Sequence, residues 1–149
     1  MENNNQYTIN KLNHLIAIAE DGKEGYENAA KNIEDVSMKS SFMRLSQQRD
    51  HYAAQLRTFV KELSGDAENE GGGVLGVLHR AWIDVKATFT SGDSDAIINA
   101  CITGEETAVN DYKSIMDDAM VSQSFKHTIS IQLGEIEEAL LNLKSKVSA

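Results

Sequence analysis

Apolar side chains recur along the chain at three- and four-residue spacing, in runs that predict four long amphipathic helices and one short one. The first is expected over 8–34, with Leu12, Leu15, Ile16, Ala19, Tyr26, Ala30 and Ile33 as its buried stripe. Gly22 permits a close approach on that stripe, Glu20 and Glu27 flank it, and Asp21 and Glu24 turn to solvent. The polar residues ahead of it, MENNNQY, read as a frayed end. The second helix is expected over 37–63, capped by Ser37 and burying Met38, Phe42, Leu45, Tyr52, Ala53, Leu56, Val60 and Leu63. SGDAENEGGG, residues 64–73, then breaks the pattern. A short helix over 74–90 follows, with Val74, Leu75, Val77, Leu78, Ala81, Trp82, Val85 and Phe89 on one side, stopping near Ser91 and Gly92. Asp93 or Ser94 opens a helix over 93–120, and Ser122 opens the last, over 122–146, with Phe125, Ile129, Ile136, Leu140, Leu143 and Val147 inward.

The connections set the topology. Short links make the first and second long helices antiparallel neighbours, and likewise the third and fourth. The connection between these pairs is long enough to run the length of a bundle. One long crossover is the ferritin-like arrangement, so the expected fold is all-α: a ferritin-like four-helix bundle with a short extra helix in the crossover, as a single domain over 1–149.

Two charges break the apolar stripes. On the third long helix, Ile98, Cys101, Ile102, Ala108, Val109, Tyr112 and Met116 share a face, and Glu105 lies at its centre. Arg49 stands at the centre of the second stripe, and Gln132 borders the fourth. A carboxylate among apolar side chains is costly unless partnered. The expectation is therefore a buried Arg49–Glu105 ion pair, with Gln132 or a tyrosine hydroxyl (Tyr52 or Tyr112) meeting the remaining hydrogen bonds. Ala19 leaves room beside it. His51, two residues beyond Arg49, faces outward.

Composition narrows the function classes. A formal net charge of −9 disfavours nucleic acid and anionic membrane surfaces. A single cysteine excludes an internal disulfide and CxxC chemistry, and with neither a signal peptide nor an apolar run long enough to span a membrane in view, the cytoplasm is expected from those last two. Cys101 on the core face reads as a buried, inert thiol. In the crossover, His79, Arg80 and Trp82 could form a ligand site. The simpler expectation is that Trp82 anchors the segment, His79 and Arg80 edge it, and Asp84 pairs with Arg80 at the surface. Glycines 71–73 lack the Lys-Ser/Thr of a phosphate loop, and no GxSxG, GxGxxG or HExxH is present.

GEETAVNDY resembles the rubrerythrin and ferritin pattern of a ligand glutamate followed seven residues later by a tyrosine, matched here by Glu105 and Tyr112. Together with EDGKEGYENAA and LHRAWIDVK, it resembles a bacterial ferritin-like four-helix-bundle family of unknown function with a glycine-rich loop and an HRAW-like crossover. That likeness implies the fold and, by descent, a di-iron site. The ligand pattern departs from it elsewhere. Seven residues before Tyr26 stands Ala19, the second helix offers Arg49 and Tyr52, and the fourth offers Gln132 and Glu135. Tyr26, Tyr52 and Tyr112 then read as core packing rather than a redox cluster. The expected protein is a non-catalytic bundle without a cofactor, with a homodimer or a protein partner and a role loosely tied to stress physiology. The alternative is an iron or manganese protein, an oxidase or iron binder, using Glu20, Glu105 and Glu135.

Overall fold

The computed structural model describes residues 2–63, 82 and 93–147. Among them are four helices and no strand: α1 (Glu2–Asn32), α2 (Val36–Glu62), α3 (Ser94–Met116) and α4 (Gln123–Lys146). The glycine-rich stretch, and the predicted helix over 74–90 apart from Trp82, lie outside the described residues, as do His79, Arg80 and Asp84.

The helix ends correct several expectations. Residues 2–7 continue α1 rather than fray. The Tyr7 hydroxyl donates to Asp118, which ties the first helix to the turn after α3. Asp35, not Ser37, caps α2, its carboxylate accepting from the backbone N–H of Ser37 at 2.9 Å and Met38 at 3.2 Å. Of the two candidates at the start of α3, Asp93 is the cap, accepting from Asp95 N–H. Expected to reach 120, α3 stops at Met116. There Asp118 N–H returns to the Ile115 carbonyl, and Val121 N–H to that of Asp118. Lys126 also donates to the Asp118 carbonyl, at 2.7 Å, which fixes the turn into α4. Ser122 caps α4 through Ser124 N–H.

Contacts between helices give their directions. Lys39 meets the Ala30 carbonyl while Arg57 meets Glu20, so α1 and α2 are antiparallel. His14 lies against Asp111 and Tyr7 against Asp118, so α1 and α3 are antiparallel too. Lys144 reaches Glu106 and Lys113 reaches Glu137, which sets α4 antiparallel to α3. The order is up, down, down, up, and α2 and α3 run parallel. Parallel neighbours in sequence need a connection that returns along the bundle.

The core falls into two apolar halves. One gathers Ile9, Leu12, Leu15, Ile16, Leu56, Tyr112, Phe125 and Ile129. The other gathers Tyr26, Ile33, Phe42, Trp82, Ile97, Cys101 and Leu143. Arg49 and Glu105 lie at the level between them. In the second half the Trp82 indole occupies a slot between α1 and α3. A Cβ on Gly25 would lie 2.1 Å from the ring, and one on Gly104 2.4 Å from it, so only glycine leaves room on either wall.

Candidate functional site: a buried polar layer at mid-bundle

Arg49 comes from α2 and Glu105 from α3, helices that are diagonal across the bundle. Both point to its axis because both occupy the centre of an apolar stripe. Nη1 donates to Oε1 at 2.5 Å and Nη2 to Oε2 at 2.6 Å, a bidentate pair with side chains 2% and 0% exposed. Of the three guanidinium N–H groups left over, Nε–H donates to the Gln48 side-chain oxygen at 3.3 Å. Gly22 of α1 faces the guanidinium, and a Cβ there would lie in ordinary van der Waals contact, 3.4 Å from Arg49. The rings of Tyr26 and Tyr52 lie 5.4 and 5.8 Å from the guanidinium carbon, so the cation is covered by aromatic faces as well as by the carboxylate.

Burial works against the Arg49 charge. The Glu105 carboxylate and its hydrogen bonds outweigh that penalty and raise the guanidinium pKa above its ordinary value. Tyr26 moves well above the ordinary phenol value, chiefly through burial and then the Glu105 charge. Burial also raises Tyr112, and raises Tyr52 together with its bond to Glu135. The Cys101 thiol is pushed up by burial, then by Glu105. These tyrosines and this cysteine therefore stay protonated at neutral pH, as hydrogen-bond donors and packing groups rather than bases or nucleophiles.

Gln132 and Tyr112 are next to this pair but do not complete it. The Tyr112 hydroxyl donates to Gln132 Oε1 at 2.7 Å, and Gln132 Nε2 donates to Gln55 at 2.9 Å. That forms a separate α3–α4–α2 chain beside the ion pair. Tyr52 turns its hydroxyl outward to Glu135. The Tyr26 hydroxyl is fully buried and has no hydrogen-bond partner among the described residues. Tyr26 stands one turn after Gly22 on the same stripe of α1, and both face Arg49. Asp21, expected in solvent, is buried. His51 is exposed and Cys101 is fully buried.

The carboxylates considered as metal ligands are not brought together. Glu105 is chelated by Arg49, Glu20 is bound to Arg57 outside the core, and Glu135 is exposed and held by Tyr52. Among the described residues no three His, Cys, Asp or Glu side chains are close enough to share an ion. This donor set does not fit a pair of metal ions, whose sites need several convergent carboxylates and imidazoles. A guanidinium at that height repels a cation.

A family model described as a domain of unknown function (DUF2383) matches residues 7–118. The match spans α1 to α3 and includes Arg49 and Glu105, whereas Gln132 and Glu135 on α4 fall beyond it. No curated protein and no solved structure matches the chain.

Proposed function

The chain belongs to the DUF2383 family, a domain of unknown function, and from that premise we propose a non-catalytic ferritin-like bundle in which the Arg49–Glu105 pair replaces a di-iron centre. One observation carries this reading: both oxygens of Glu105, the glutamate that resembles a ferritin ligand, are taken by one guanidinium. The up, down, down, up order of the helices supports the ferritin-like assignment. Burial keeps Tyr26, Tyr52, Tyr112 and Cys101 protonated at neutral pH, which supports a packing and hydrogen-bonding role for these four groups around the pair.

The protein then works through its surface, by self-association or by binding a protein partner, within a stress response of a cytoplasm. Its acidic balance argues against nucleic acid, and no described helix is long and apolar enough to cross a membrane. Metal analysis of protein purified without chelators is the test. Iron and manganese well below one ion per chain are expected, whereas about two per chain would overturn the proposal in favour of a metal-dependent oxidase or iron binder.

A further inference from the structure

Three of the four seams of the bundle close by direct helix packing: α1 with α2, α1 with α3, and α3 with α4. The fourth, between α2 and α4, does not bring the backbones into comparable contact. It is bridged at mid-height by Tyr52 to Glu135 and Gln55 to Gln132, and beyond those bridges it opens into a groove of about 290 Å³. Met38, Leu45, Ala139 and Leu143 supply its apolar lining.

Dimensions decide what such a groove accepts. Its walls run from Met38 to Gln48 on α2 and from Glu135 to Lys146 on α4. At 1.5 Å per residue that is a seam of about 15 Å, along which a linear chain can lie against both walls.

Charge decides the polarity of the occupant. At the inner end are Gln48, which accepts from Arg49, and Glu135, which accepts from Tyr52. Glu138 stands one turn further along the rim. The cations are toward the outer end. Arg44 leans back to the Ser41 hydroxyl at 3.5 Å, and Lys146 lines the groove from the last turn of α4. Neither makes an ion pair with a carboxylate among the described residues. An anionic head is attracted to the outer end, and an apolar tail runs inward over Leu45 and Ala139.

We propose that the α2–α4 groove binds a free, unbranched aliphatic carboxylate, its head between Arg44 and Lys146 and its chain along Leu143, Leu45 and Ala139. This goes beyond the reading of the mid-bundle pair, and metal content has no bearing on it. Calorimetric titration of the full chain with decanoate, below its micelle-forming concentration, tests it. Saturable binding of one decanoate per chain is expected. The neutral analogue decanamide should bind at least tenfold more weakly. The double variant R44Q/K146Q should weaken decanoate at least tenfold and leave decanamide unchanged. Both substituted residues are exposed, so the helical circular dichroism of that variant should match wild type; Ala139→Phe, which fills the groove, should abolish binding of both ligands. The proposal is overturned by any of four results: no saturable binding, equal affinity for decanamide, decanoate binding unaffected by R44Q/K146Q, or preference for decyltrimethylammonium. The last would move the head to Glu135 and Glu138.

Discussion

The bidentate pair makes an asymmetric prediction at the scale of single residues. Arg49→Met leaves a carboxylate in a site that excludes water, and Glu105→Gln leaves a guanidinium there without its counter-charge. Each should lower unfolding free energy by about 3–5 kcal/mol in urea denaturation. The double replacement Arg49→Met with Glu105→Leu removes both charges and should cost far less than the sum, since apolar side chains of similar volume need no partner. An additive double variant would mean that the two residues do not act on each other. Tyr7 and Asp118 predict a pH dependence. The Tyr7 hydroxyl bond, helped by Met120 N–H, holds the Asp118 carboxyl below its ordinary value. Stabilisation from a depressed carboxyl is complete above the unfolded value, about 3.9, and fades as pH falls through the folded value. The same bond raises the Tyr7 phenol above 10, so its contribution fades again as pH rises through that raised value. Tyr7→Phe should therefore be less stable than wild type across neutral pH and converge with it at both extremes. A constant offset in melting temperature down to pH 2 would refute this. Arg49 and Glu105 could be read from the chain because a charge at the centre of an apolar stripe is conspicuous. Asp35 as cap, and Tyr7 as tether, could not: the first competed with an equally good Ser37, and the second depends on a turn over a hundred residues away.

At the scale of elements, helix type follows from period alone, and among the described residues four of the five predicted helices are present, with ends displaced by a few residues at most sites. The larger error, at the start of α1, arose because a polar run carries no periodic signal even when a tertiary contact holds it helical. Small residues were legible only in part. Gly22 was singled out for close approach, and a Cβ there would make ordinary contact with Arg49, whereas the glycines that matter most are Gly25 and Gly104. A glycine contributes nothing to a hydrophobic pattern, and what it admits lies on another segment. Gly104→Ala and Gly25→Ala should each force the indole from its slot, at a cost of about 1–3 kcal/mol. Trp82 is the only tryptophan, so its fluorescence reports the event directly: a red-shifted emission maximum in both variants, and little shift in Gly22→Ala. An unshifted spectrum in Gly104→Ala would show that the helices can separate to keep the ring buried.

Across the whole molecule, two electrostatic effects oppose each other, and their distances decide between them. Exposed pairs strap neighbouring helices: Lys23 to Asp50 at 3.3 Å, Lys113 to Glu137 and Lys144 to Glu106 at 3.5 Å. Each contributes about 0–1 kcal/mol and weakens in salt. Against them stands the excess of 23 acidic over 14 basic residues, a net −9, which repels itself on folding. The Debye length falls from about 30 Å at 0.01 M salt to about 8 Å at 0.15 M. The pairs lie well inside either value and, though weakened, keep most of their attraction. Excess charges on opposite sides of a bundle are separated by more than the shorter length, so their repulsion is largely removed. Salt should therefore stabilise this protein. Raising sodium chloride from 10 to 150 mM should increase the melting temperature by a few degrees, equivalent to about 1 kcal/mol for a chain of this size. The buried Arg49–Glu105 pair is shielded from the added ions, so the single variant Arg49→Met should show the same upward slope from a lower start. A melting temperature that falls with salt would mean that the surface pairs, not the net charge, govern the stability of the bundle.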